Sequence, residues 1–322
     1  MQKLLFLGLL LLGCANKPFS RKPLDSPPAS PPRTDAIADL SAIDIKIIFL
    51  RHGISCTNLT GFIEQKKIPG KKFPNFLHYL DPELSSIGQR YTVNNGKSLQ
   101  NYLASQEITV DFIGSSSLLR AIETAHFLFN TDAKVFKKIY PLPYLKELGK
   151  VRSDFPSAIK EQREFLSTAD GLSGCNSEKI TADCPLDYTF LKTSDLAAAP
   201  ASFEQFKEWL GNNLEAILSN QTSWSPQPQG RMFTMAVVAH RGVMKRELKI
   251  QDNVDNNSAF QSILRYARHD TSWKYKHSES QEFSKLPYPF AFALPSSKKW
   301  PDLKAELCPD RCREFNICSA HP

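Results

Sequence analysis

Two histidines, each placed directly after an apolar run, are the side chains of this 322-residue chain best suited to chemistry. His52 follows Ile47-Ile48-Phe49-Leu50 and Arg51, and His240 follows Met235-Ala236-Val237-Val238-Ala239. Short apolar runs of this kind read as buried strands, so both imidazoles stand where a strand gives way to a loop. Open α/β sheets bind ligands outside the carboxyl ends of their strands. Histidine there can act as a nucleophile or carry a proton near neutral pH. One histidine after a strand is most often a packed side chain, so the segments between the two must carry the argument further.

Those segments have a definite succession. Arg51-His52-Gly53 is followed by Ser55 and Asn58, and then by Asp81-Pro82-Glu83-Leu84-Ser85-Ser86-Ile87-Gly88, a turn opening a helix with Ser85 near its N-cap. The strand-like Thr109–Ile113 leads through Ser115-Ser116-Ser117 into a helix. Leu118, Ile122, Ala125 and Phe129 share one face of it, which puts Arg120 in its first turn. A further apolar stretch ends in Leu145-Lys146-Glu147-Leu148-Gly149. From Val151 to about Ala201 the chain is polar and irregular and reads as an insertion at the carboxyl-end side of the sheet, of the kind that walls or lids a site. Ser202 and Gln205 suggest a capping box opening a helix with Phe203, Phe206, Leu210, Leu214 and Ile217 on its core face. Residues 225–230, rich in proline and glutamine, break it before the His240 strand. Ser262–Tyr266 reads as a last strand, and residues 270–322 as a C-terminal extension over the core.

This succession resembles the histidine phosphatase superfamily, the phosphoglycerate-mutase-like proteins. The matching residues are Arg51-His52-Gly53, Asn58, Leu84-Ser85 with Gly88, Ser116 with Arg120-Ala121 and Thr124-Ala125, Leu145 with Glu147, and His240, in the family's order over roughly residues 45–248. The resemblance implies an α/β fold of three α/β/α layers, with a mostly parallel central sheet and the active site at the carboxyl ends of the strands. It implies a phosphoester hydrolase that works through a phosphohistidine, without cofactor or metal, on a phosphorylated small molecule or phosphoprotein. His52 would be the nucleophile and His240 the second imidazole on the phosphoryl group. Arg51, Asn58 and Arg120 would bind its oxygens, and Glu147 would be the general acid.

The residue types suit that chemistry. Phosphoryl transfer depends mainly on positioning and on stabilising charge spread over oxygens, and arginine offers rigid, bidentate donation to such oxygens. A carboxyl group that protonates a leaving oxygen must itself hold a proton, so the Glu147 pocket would have to favour the neutral form. Arg241, where the family often has glycine, is either an extra phosphate contact or a solvated side chain. The segment Thr60–Phe73, with Lys66, Lys67, Lys71 and Lys72, is unlike that of the glycolytic mutases, which favours hydrolysis over mutase-type transfer. Those lysines form a solvated loop or a basic mouth that attracts anions. A catalytically inactive lipoprotein that only binds phosphorylated ligands is the rival from another class.

The N-terminus reads as a processing signal. Lys3, the apolar Leu4–Leu12 and Leu11-Leu12-Gly13-Cys14 form a signal peptide over residues 1–14 with a lipobox-like end, too short to span a bilayer. Cys14 is the expected lipid-attachment site, and residues 15–44, rich in proline and serine, the expected disordered tether. The protein is then exported: an envelope or outer-membrane lipoprotein if bacterial, otherwise secreted. The formal net charge of +7 suits anions, but the basic residues are scattered without an aromatic-basic stripe, which argues against nucleic acid. Six cysteines remain besides Cys14: Cys175–Cys184 is a candidate disulfide, two of Cys308, Cys312 and Cys318 another, and Cys56 a packed thiol. Cys308, Cys312, Cys318 and His321 match no zinc-finger spacing.

Overall fold

The computed structural model describes residue 37 and residues 40–65, 80–130, 137–168, 173–175, 184–194, 201–220, 232–270, 272–276 and 282–288. The signal peptide with Cys14, the tether up to residue 36, the lysine-rich segment 66–79, the break at 225–230 and the cysteine cluster beyond residue 288 lie outside them. In chain order the elements are β1 (Ala42–Arg51), α1 (Cys56–Gln65), α2 (Ser86–Ser105), β2 (Phe112–Ser116), α3 (Leu119–Phe129), β3 (Ile139–Leu142), α4 (Ile159–Leu166), α5 (Phe203–Ser219), β4 (Phe233–Ala239), β5 (Ala259–His269), β6 (Ser272–Tyr275) and β7 (Ser284–Lys285).

The two apolar runs become adjacent central strands. Alternate residues of each serve opposite faces, as the two-residue period of a strand dictates. Ile45, Ile47 and Phe49 of β1, with Met235 and Val237 of β4, pack with Phe206, Leu210 and Leu214 of α5. Ile48, Leu50, Ala236 and Val238 join Leu99 of α2 and Ile122 and Ala125 of α3 on the other face. A strand covered on both faces has no polar side to show, hence continuous apolar runs rather than alternation. The result is an α/β fold with helices on both sides of the sheet.

Strand order is β3-β2-β4-β1-β5-β6, with β7 also on β5. The pairings β3–β2, β2–β4 and β4–β1 are parallel, whereas those of β5 with β1, β6 and β7 are antiparallel. The sheet is therefore mixed, parallel in the half that carries the histidines. The expected last strand around Ser262–Tyr266 is the middle of the longer β5, and two more strands follow it. The reason matters for the site. Ala259 pairs with Leu50, so β5 starts at the end where β1 stops, and the chain from His240 to Ser258 never leaves the carboxyl-end side of the sheet.

The polar segment after Val151 is less irregular than its sequence suggests. It contains α4, contributes Phe165, Leu166, Leu186, Tyr188 and Leu191 to the core beside α2 and α3, and joins β3 through a parallel bridge between Ile139 and Leu186. Cys175 and Cys184 form a disulfide within it. Cys56 is also disulfide-bonded, not the packed thiol expected from sequence.

Candidate active site

Register brings the histidines together. Arg51 pairs with Ala239 across the parallel β1–β4 ladder, so the next residues, His52 and His240, leave the sheet side by side. The His52 N–H donates to the Ala239 carbonyl at 3.0 Å, and the two ring centroids lie 5.0 Å apart. His52 is 3% exposed and His240 fully buried.

Each ring is held in a defined way. His52 Nδ1 lies 2.7 Å from the carbonyl of Gly53. A carbonyl only accepts, so Nδ1 carries the hydrogen and Nε2 keeps the lone pair. Asn256 braces that loop: its Nδ2 donates to the carbonyls of His52 and Gly53 at 2.8 and 2.9 Å. Gly53 has no room for a side chain, since a Cβ there would sit 2.3 Å from Thr92 Oγ1 on α2, and its N–H donates to Thr124 Oγ1 on α3 at 2.9 Å. His240 Nε2 is 2.8 Å from Ser116 Oγ at the end of β2. That oxygen also accepts from the Leu118 N–H at 3.4 Å; when the Ser116 hydroxyl donates to Nε2, the hydrogen of a neutral His240 sits on Nδ1. Nδ1 is buried and has no hydrogen-bond partner.

Two guanidiniums act on the pair electrostatically. Arg120, 4% exposed, is in the first turn of α3 as its helical spacing predicts. Its Nη1 donates to the Ser153 carbonyl at 2.8 Å and its Nη2 lies 3.6 Å from Asp154 Oδ1. Arg51 donates through Nη1 to the Val254 carbonyl at 2.9 Å, and its buried Nε has no partner. Burial, with Arg241 nearby, pulls the Arg51 guanidinium down to about 10, still charged at neutral pH. Arg241 itself is exposed. Asn58 Oδ1 accepts from Ser55 N and Asn256 Nδ2, both at 3.3 Å, which leaves its Nδ2 as the donor edge. Glu147 accepts from the N–H groups of Leu148 at 2.9 Å and Gly242 at 3.4 Å, two residues past His240. Its charge is felt at both Arg51 and Arg120.

The positive field has a consequence for the imidazoles. Burial first, then Arg120 and Arg51, holds His52 well below its ordinary value; burial, Arg120, His52 and Arg51 do the same for His240. Both are neutral at pH 7, so the Nε2 lone pair of His52 is available for attack. Stability should respond. The unfolded chain protonates these imidazoles near pH 6.5 and the folded chain does not, so stability falls as pH drops below that value, until the depressed folded values are reached. Each imidazole contributes up to about 1.4 kcal/mol per pH unit in that window. The buried carboxyls of Asp81 and Asp154 are pushed up from the ordinary carboxylate range and act the opposite way, from about pH 4 up to their raised folded values. Urea midpoints should therefore fall between pH 7 and 5.5, less steeply in His240→Gln. A flat profile would contradict neutral buried imidazoles.

Several residues of the site carry no motif. Ser153, Asp154, Val254 and Asn256 sit in loops whose composition gives no periodicity, and only the fold sets them against Arg120, Arg51 and His52. Asp81, read from sequence as a turn residue, is fully buried. It accepts from the Leu119 N–H at the start of α3 and from Ser157 and Gln162 of the inserted segment, all at 2.7–2.9 Å. One carboxylate thus ties the insertion to the helix that carries Arg120. Among the described residues, no group of three histidines, cysteines or acidic residues could hold a metal ion.

No family model and no curated protein matches the sequence. Solved structures similar to this chain include the ecdysone phosphate phosphatase of Bombix mori, at 14% identity over 80% of this chain and 99% of that one, with a TM-score of 0.43. A phosphoglycerate mutase of Bacillus anthracis is 16% identical over 74% of this chain and 94% of that one, with a TM-score of 0.35. A phosphoserine phosphatase of Entamoeba histolytica is 19% identical over 73% of this chain and 98% of that one, with a TM-score of 0.29. At these values the likenesses carry no functional argument, which has to come from the side chains.

Proposed function

We propose that the chain is a member of the histidine phosphatase superfamily and a phosphomonoester hydrolase that works through a phosphohistidine. The observation that carries this reading is the pair of neutral, buried imidazoles in the positive field of Arg51 and Arg120, with Arg51 Nε and His240 Nδ1 buried and, among the described residues, without hydrogen-bond partners. Unpaired buried donors are costly, and a phosphoryl group is the ligand whose oxygens would use them all. In this reading Nε2 of His52 attacks phosphorus and the P–O bond to the alcohol breaks. Arg51, Arg120, Nδ1 of His240 and Nδ2 of Asn58 hold the equatorial oxygens as charge develops on them. Glu147 stands beside the leaving oxygen, and water then cleaves the phosphohistidine to inorganic phosphate. Arg241 adds positive potential at the rim and steers the dianion inward. The substrate is a phosphorylated small molecule or phosphoprotein, and the enzyme is exported and held on a membrane by acyl chains on Cys14.

The purified protein should release inorganic phosphate from p-nitrophenyl phosphate and, when quenched in acid-free denaturant, carry an acid-labile phosphoryl label. Turnover without any label, or with the label on another residue, would overturn the phosphohistidine route. Transfer between positions of 3-phosphoglycerate without phosphate release would make the enzyme a mutase.

A further inference from the structure

Asp154 is a second carboxyl at this centre, and neither the motif succession nor the family's pattern points to it. It lies in the 3₁₀ turn Arg152–Asp154, just after the Glu147 segment. Its side chain is 9% exposed and its Oδ1 is 3.6 Å from Arg120 Nη2. Its other oxygen lies against Gly149, where a Cβ would fall 1.7 Å from Oδ2, so the carboxyl is pressed onto the backbone two residues past Glu147. The two acids differ in what they meet. Glu147 accepts from two backbone N–H groups, and Asp154 faces a guanidinium that must also serve the phosphate.

We infer that Asp154 is the proton donor to the leaving oxygen, acting across Arg120 from the nucleophile. The inference rests on the phosphohydrolase reading and deepens it. As the His52 Nε2–P bond forms and the P–O bond breaks, the hydrogen of the Asp154 carboxyl passes to the departing alkoxide, which leaves as a neutral alcohol. In the second step a water molecule attacks phosphorus, its proton returns to the Asp154 carboxylate, and the N–P bond breaks to free His52 and inorganic phosphate. Burial and the charge of Glu147 push Asp154 up from its ordinary value, while Arg120 and the Val151 backbone pull it back, with a net rise. A bound phosphoryl dianion adds like charge and raises it further. Arg120 and Glu147 are the charged groups that face it.

An acid matters for an alkoxide and scarcely for a nitrophenolate, which gives the test. Asp154→Asn in the full chain should lower kcat on glycerol phosphate by about 10²-fold and leave p-nitrophenyl phosphate within a few-fold. The fall of kcat at high pH on glycerol phosphate should disappear with it. Added formate should restore part of the glycerol phosphate rate to Asp154→Ala, which a lost scaffold could not explain. Circular dichroism checks folding, and if Asp154→Asn does not fold, Asp154→Glu should show an intermediate loss confined to the alkyl ester. Equal loss on both esters with a raised KM, and no rescue, would reduce Asp154 to a residue that positions Arg120. Selective alkyl loss in Glu147→Gln and not in Asp154→Asn would return the proton to Glu147. Wild-type protein inert toward p-nitrophenyl phosphate would instead strike at the phosphohydrolase reading itself.

Discussion

His52→Ala is expected to abolish phosphoester turnover, by about 10⁴-fold or more, as removal of a covalent nucleophile does elsewhere. The geometry leaves no substitute. His240 is the other imidazole of the pair, but its Nε2 is engaged with Ser116 at 2.8 Å, and in the proposed reading its Nδ1 carries the hydrogen and offers the phosphoryl group a donor. Alanine removes the Nδ1–H bond to Gly53, yet Asn256 still holds both carbonyls of that loop, so the backbone should persist. The readout is single-turnover release of p-nitrophenolate together with acid-labile labelling: both should vanish while urea unfolding stays cooperative. Retained turnover in His52→Ala would sink the phosphohistidine reading as a whole.

Arg120→Ala should lower kcat/KM on phosphate esters by about 10²–10³-fold, the usual cost of losing one preorganised donor to a developing charge. Here a structural cost comes with it. The side chain is buried between the Ser153 carbonyl and Asp154, so alanine leaves both without their partner and should also destabilise the fold by about 1–3 kcal/mol. That separates it from a surface charge, whose loss usually stays within about 0.5 kcal/mol. Arg120→Lys keeps the charge but not the fork that meets Ser153 and a phosphoryl oxygen together, and should recover stability more than rate. Unchanged rate and unchanged inhibition by vanadate in Arg120→Ala would remove this arginine from the phosphate site.

The chain itself determined the two central strands, the helices α2, α3 and α5, and the residues able to do chemistry. Apolar runs before His52 and His240 required strands buried on both faces, because only those dispose of every side chain in such a run. The recurrence of Leu118, Ile122 and Ala125 at intervals of four and three residues required α3, and so put Arg120 in its first turn. What these patterns lacked was any measure of distance between elements. The pairing of Arg51 with Ala239 is a property of the sheet, and it alone turns two strand-end histidines 188 residues apart (240 − 52) into one site. The antiparallel return into β5 was equally illegible, since β5 alternates like many half-exposed strands and its direction is set by its neighbour. Yet that return keeps residues 240–258 above the carboxyl ends and so delivers Val254 to Arg51 and Asn256 to His52. Asp81 and Asp154 show the same limit from the other side. A carboxylate in a polar stretch reads as solvated until packing removes its water. Only tertiary structure buries Asp81 among four donors and sets Asp154 against Arg120, because desolvation and charge coupling act through space and leave no period in the sequence.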